Sequence, residues 1–269
     1  MPFLRSYKPQ QFKDSLERIW VAEMEGSEYN MLIPPTQYVD LLIPLNKEGF
    51  ILNGNLYTTP MVEGVLQKPV HLKLPPRSKL LGIRFYGFGW YPFGGVEGRE
   101  IADAIIPFVP ESECRQLIDK ICNSEDEREA IKHCMSLLNV LHNPKREQKI
   151  ELIKRFYKGF ISDMSKNSIE EFCQLTDTNY MTLNRAFTKI VGIPPKKFER
   201  LLRFRKSFDA VLRTEDNLTE IGYNAGYFDQ PHFVKEFKYF MGMSPSEYLK
   251  LFKNERPLII HATVDFSVF

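Results

Sequence analysis

The sequence predicts an α+β chain: a β-rich, barrel- or sandwich-like N-terminal domain, a helical middle, and an all-α C-terminal domain with two helix-turn-helix units joined by a long helix. Three observations predict it. Between residues 28 and 110, short β-prone runs are broken repeatedly by proline and glycine. From residue 111 onward, apolar residues recur at helical spacing. Between residues 168 and 252, one helix–turn–helix pattern occurs twice. The corresponding divisions are 1–110, 111–164, 165–252 and a tail at 253–269.

The strand-rich part contains "YVDLLIPL", "GFILNGNLY", "VHLKL" and "KLLGIRFYGFGWYPF", separated by breaks such as Pro34-Pro35, Pro60, Pro69 and Pro75-Pro76. Such runs between turn formers read as strands of a small antiparallel sandwich or barrel. A helix at about 10–22 is expected to precede them. Beyond residue 110, "ESECRQLIDKIC", "DEREAIKHCMSLLNVLH" and "REQKIELIKRFYKGFISDM" carry helical stripes, the last through Ile150, Ile153, Phe156, Tyr157 and Phe160. The tail "LIIHATVDFSV" alternates and reads as a strand.

Composition bounds the function. The chain has 269 residues, 43% of them hydrophobic and 26% charged, with a net charge of +2. This suits a soluble globular protein of one large domain or two ordinary ones. Residues 1–150 carry a net charge near −1 and residues 151–269 near +3. That asymmetry is too weak to indicate nucleic acid by itself. Cys114, Cys122, Cys134 and Cys173 fit no zinc spacing; the first three, in helix-like sequence, read as buried thiols, and the protein as reduced and cytoplasmic. The N-terminus has no apolar signal core, and no run approaches the ~18 apolar residues of a membrane span.

The repeated unit is the strongest signal. "SIEEFCQLTDTNYMTLNRAFTKIVGIPPKKFERLL" (168–202) and "NLTEIGYNAGYFDQPHFVKEFKYFMGMSPSEYLKLF" (217–252) each open on a cap-like residue and a short helix. Each then turns, enters a second helix, and ends in glycine, an apolar residue and proline. Leu183 and Phe187 correspond to Phe233 and Phe237, both at i, i+4. In the second unit, Gly226 suits a positive φ, Asp229 a helix cap, and Pro231 a first helical turn. The connecting segment, about 195–213, makes a helix roughly 28 Å long at 1.5 Å per residue. Neighbouring major-groove sites on one face of DNA lie about 34 Å apart.

On "TLNRAFTKIVGIPPKKF", "IGYNAGYFDQPHFVKEFK" and "GMSPSEYL", residues 165–252 resemble the DNA-binding domain of the AraC/XylS family of bacterial transcription regulators. There are departures: Gly226-Tyr227 stands for the family's Gly-Phe, Lys235 for an arginine, and Leu249 for the arginine often found after the last tyrosine. Lys235 puts a bidentate base contact in doubt and leaves a phosphate contact open. On "IPPTQYVDLLIPLN" and "LLGIRFYGFGWYPFGG", the N-terminal part resembles, more distantly, the β-rich sensory or dimerising domain of uncharacterised AraC-type regulators.

The resemblance implies double-stranded DNA as partner. In the first unit it places Tyr180, Met181, Asn184, Arg185 and Lys189 on the outer face. Asn184 suits adenine and Arg185 guanine, and Lys189 suits a phosphate. In the second unit it places Gln230, Pro231, His232, Val234 and Lys235 there. Each alone is as readily an ordinary solvated helix residue. Arg203, Arg205 and Lys206 on the linking helix suit phosphates or a salt-bridged surface equally. RNA polymerase and a second copy of the chain are further candidate partners.

No catalytic, cofactor or metal motif is present. The histidines show no paired ligand spacing, and no Walker A, G-x-S-x-G or H-E-x-x-H sequence occurs. Some relatives carry a methyl-acceptor domain with zinc-bound cysteines, but residues 1–110 contain no cysteine. The aromatic stretch around residue 90 reads as packed core, or as a small-molecule pocket lined by Arg84, Tyr86, Phe88 and Trp90. Control by a partner protein with no small-molecule ligand is the alternative. An enzyme with an appended DNA-binding module would need a titratable cluster in 28–110, where His71, Asp40, Glu48 and Glu63 are the candidates.

Overall fold

The computed structural model describes residues 2–162, 168–213 and 217–252. The N-terminal part is two antiparallel sheets. One has the strand order β1 (Pro2–Tyr7), β2 (Leu16–Met24), β9 (Lys79–Tyr86), β4 (Tyr38–Pro44), β7 (Met61–Glu63), β10 (Ile105–Pro107). The other has the order β3 (Tyr29–Ile33), β8 (Val70–Leu74), β5 (Phe50–Leu52), β6 (Asn55–Tyr57).

The central strand β4 of the larger sheet is buried on both faces, which explains why it reads as a nearly unbroken apolar run rather than an alternating one. Leu42, Met61 and Leu80 meet Phe50, Leu52 and Leu72 of the smaller sheet. The residues between them in sequence, including Ile19, Leu41, Ile43, Leu81 and Ile83, share a core with the helices. Helices α3 (Ser112–Cys122) and α4 (Glu127–Leu141) supply Ile118, Ile121, Cys134 and Leu137 to it. Burial pushes the Cys134 thiol up, so it behaves as a small apolar side chain.

The helix expected at about 10–22 is not formed. Residues 11–15 turn, with Phe12 at φ 61°, and 16–24 form the strand β2. "LERIWVAEM" puts Ile19 and Val21 on one face, and Trp20 and Ala22 on the other. Both faces are covered, and β2 pairs with β1 on one side and β9 on the other. Tertiary pairing therefore overrides a stripe that helical spacing also fits. The tail expected to be a strand lies outside the described residues.

The aromatic stretch after β9 turns into a short helix, α1 (Tyr91–Gly94), and joins the sandwich to the helices. Phe88 stacks on Tyr86 at 5.7 Å and meets Tyr157 at 5.5 Å. Tyr157 belongs to α6 (Glu151–Ser162), which also reaches back through Lys158 Nζ to Asp14 Oδ1 at 2.9 Å. A second short helix, α2 (Gly98–Ile101), follows α1. The turn Pro144–Glu147, α5, leads into α6.

Candidate nucleic-acid interface

The first helix-turn-helix unit is α7 (Ile169–Leu175) and α8 (Tyr180–Ile190). Ser168 and Glu171 form a reciprocal capping box at the start of α7. Asp177 takes φ 49° in the turn, and Asn179 Oδ1 accepts from the Thr182 N–H at 2.9 Å to start α8. The second unit repeats this scheme with α10 (Leu218–Asn224) and α11 (Gln230–Met241). Asn217 caps α10, Gly226 takes φ 84°, and Asp229 Oδ1 accepts from the His232 N–H at 2.8 Å. Gly192 and Gly242, at φ 92° and 76°, follow α8 and α11 in turn.

Each second helix is anchored from one side. Leu183, Phe187, Phe233 and Phe237 are wholly buried. Phe187 packs edge-on to Phe156 at 5.0 Å, and Phe237 packs against Phe204 at 5.6 Å. Of the residues between the anchors, Arg185 and Lys235 face outward, whereas Ala186 and Val234 pack against the core and Glu236 turns to Arg200. Asn179→Ala and Asp229→Ala are each expected to cost about 1 kcal/mol by orphaning a first-turn N–H. Chemical denaturation of the two variants checks this; no loss would mean that water satisfies the N–H equally well.

The linking helix is α9 (Pro195–Arg213), followed after α11 by α12 (Pro245–Phe252). Its basic residues are largely engaged within the domain. Arg203 and Lys196 both pair with the buried Glu199, and Arg205 pairs with Asp209 at 3.0 Å. Arg200 makes a two-pronged pair with Glu236 of α11 at 2.8 and 2.9 Å and lies over the Tyr239 ring. Sequence reasoning missed this brace, because an arginine and a glutamate 36 residues apart carry no local signal. Lys206 is exposed.

The outward residues are placed as follows. Tyr180, Met181, Arg185 and Lys189 are exposed and Asn184 is half-buried. Met181 is 64% exposed. Lys189 is not free: its Nζ lies 3.3 Å from Glu97 Oε1 of the N-terminal part. In the second unit, Gln230, Pro231, His232 and Lys235 are exposed. Val234 is half-buried against the core. Gln230 Oε1 accepts from Thr219 Oγ1 at 3.0 Å, and the His232 ring meets Tyr227 at 5.3 Å.

The residues proposed for a ligand pocket separate into two environments. Phe88 and Trp90 are 1% and 2% exposed and enclosed by other rings. Arg84 instead joins a polar row across the larger sheet, where register aligns Arg18, Arg84, Asp40 and Glu63 on β2, β9, β4 and β7. Arg84 donates to both Asp40 oxygens at 2.9–3.1 Å, and its guanidinium lies over Tyr38. Burial opposes the charge on Arg84, but the Asp40 carboxylate holds it above its usual range.

Burial, aided by the neighbouring Asp40 carboxylate, raises Glu63 to about 8, and Arg84 only partly opposes this. Glu63 Oε1 has no hydrogen-bond partner. Of the four titratable residues singled out from the sequence, register thus unites Asp40 and Glu63. His71 lies exposed on β8, apart from them. Among the described residues, no three His, Cys, Asp or Glu side chains converge as a metal site, and no helix is long and apolar enough to cross a membrane. An apolar cavity of about 90 Å³ between α6 and α7 is well below the ~300 Å³ of ordinary ligand pockets.

Two family matches cover most of this architecture. Residues 172–251 match a helix-turn-helix domain family, and residues 6–107 match a domain of unknown function, DUF6597. A stretch of 82 residues is 27% identical to an uncharacterized HTH-type transcriptional regulator of Haemophilus influenzae; it spans 30% of this chain and 28% of that protein. ToxT from Vibrio cholerae aligns over 92% of this chain and 98% of its own, at 13% identity and a TM-score of 0.47. The C-terminal domain of the response regulator YesN from Fusobacterium nucleatum aligns over 36% of this chain and 94% of its own, at 26% identity and a TM-score of 0.34. Residues 172–251 thus carry a helix-turn-helix domain, placed after a DUF6597 domain at residues 6–107.

Proposed function

We propose that this protein is a sequence-specific DNA-binding transcription regulator whose two recognition helices read successive major grooves. The observation that carries the reading is the duplication. Two helices with a side-chain cap at the same place, buried anchors at the same i, i+4 spacing and residues exposed on the other side are joined by the 19-residue α9. At 1.5 Å per residue α9 rises about 28 Å, close to the ~34 Å between grooves on one face of a duplex. In α8, Met181, Asn184 and Arg185 are the base-edge residues. In α11, Gln230, His232 and Lys235 lie at the groove end, beside Pro231 and Val234.

The N-terminal domain is the regulatory half in this reading. The polar row inside the sandwich supports a small-molecule effector, because buried Asp40 and Glu63 and the half-buried Arg84 supply polar anchors and Glu63 Oε1 lacks a partner. Control by a partner protein would leave that row with a purely structural role.

The direct experiment is selection of bound sequences from random duplex DNA with the full chain. The expected product has two blocks about 10 bp apart. Arg185→Ala is expected to relax one block and Gln230→Ala the other, each by about 1–3 kcal/mol of base discrimination. A single block degraded by both substitutions would refute the two-headed reading. No enrichment by the folded protein would count against DNA recognition in this state.

A further inference from the structure

The helix α2 is wedged between the sandwich and the first recognition helix. At one end, a Cβ on Gly64, next to β7, would strike the Ile101 carbonyl. At the other, Gly98 and Gly192 meet backbone to backbone: a Cβ on Gly98 would strike the Ile190 carbonyl and the Gly192 nitrogen, and one on Gly192 the Gly98 carbonyl. Glycine at both positions lets the N-terminal domain touch the chain where α8 ends. Glu97, the cap of α2, then lies 3.3 Å from Lys189.

Met181, Arg185 and Lys189 recur every four residues and share one stripe of α8. The stripe that presents Arg185 outward therefore ends in a lysine already paired with a carboxylate from the other domain. Charged groups facing Glu97 are Lys189 and its own neighbours Arg99, at 2.8 Å, and Glu100, whose carboxylate accepts from the Glu97 N–H. The second unit is built otherwise. With Phe237 matching Phe187, the position of Lys189 is taken by Tyr239, which lies under the Arg200 guanidinium at 4.6 Å.

We infer that Glu97 competes with the DNA backbone for Lys189, so that the N-terminal domain sets how many phosphates the first recognition helix neutralises. This rests on the DNA-binding reading above. Lys189 is 52% exposed and Glu97 28%, so the pair is weak enough for a polyanion to displace. While it persists, it removes one cation from the interface and leaves a carboxylate beside it. Movement of α2 away from α8 would release the lysine, giving the sandwich a physical handle on one recognition helix.

The test is the salt dependence of binding by the full chain to a random-sequence duplex spanning two major grooves. Each phosphate neutralised adds about 0.9 to the slope of log K against log salt. Glu97→Gln retains a side-chain oxygen to cap α2 and is expected to steepen the slope by about one such increment and to tighten low-salt binding several-fold. Adding Lys189→Ala to Glu97→Gln is expected to abolish that gain. Wild-type binding with an unchanged slope in Glu97→Gln overturns this inference alone. So does an identical effect of Lys189→Ala in both backgrounds. Failure of the wild-type chain to bind duplex at any salt removes the DNA-binding reading and this inference with it.

Discussion

Glu63→Gln is expected to flatten the pH dependence of stability between about pH 5 and 8 and to stabilise the protein at the upper end. Glu63 is 4% exposed, and burial raises its folded pKa to about 8 from the ordinary glutamate value of 4.5. Between those values the folded chain holds a proton that the unfolded chain has lost. Stability therefore falls as pH rises through this window; the penalty is absent below the lower value and complete above the upper. At about 1.4 kcal/mol for each tenfold difference in proton affinity, the penalty has a ceiling of about 5 kcal/mol. Glutamine is neutral at every pH and similar in shape, so it removes the titration while filling the space. Urea unfolding of both proteins at about pH 5.5, 7 and 8.5 measures the difference. A decline in the variant parallel to that of wild type would place the titration on another group.

The C-terminal domain was legible because its signals are local and repeated. Asn179 and Asp229 cap through N–H groups three residues on, and Gly226 answers a φ that its own turn imposes. Such features need no knowledge of distant chain. The sandwich was only partly legible. "YVDLLIPL" and "VHLKL" announce strands, but the three-residue β7 and β10 are too short to carry a period. In "LERIWVAEM", helical and strand patterns coincide, and only the partners β1 and β9 decide between them. The polar row was half visible. Asp40 and Glu63 stand out as lone acids in apolar runs, but register alone makes them neighbours and pairs Asp40 with Arg84 on its other side. The contact between Glu97 and Lys189 joins residues 92 positions apart and left no trace in either segment.

That same unevenness of wiring governs the second large effect, expected on truncating Phe237. Phe237 is wholly buried, with ring centroids of Phe204, Phe208, Phe233 and Tyr248 between 5.6 and 6.1 Å away. Phe237→Ala removes the shared centre of that cluster and is expected to cost about 3–5 kcal/mol. The loss should be local. Helices α10 and α12 pack on α9 and on α11, whereas α8 packs on α6 and α2 of the preceding parts as well as on α7 and α9. Hydrogen exchange in Phe237→Ala is therefore expected to rise across residues 218–252 while α8 and the sandwich keep their protection. Phe187→Ala deletes an equal ring, but one that touches Phe156 of α6 and Phe198 of α9. Its loss should spread protection changes into α6 and α9 rather than stop at one unit. If Phe237→Ala instead raised exchange uniformly along the chain, the two units and the sandwich would unfold as one body, and the second recognition helix would have no separate stability to lose.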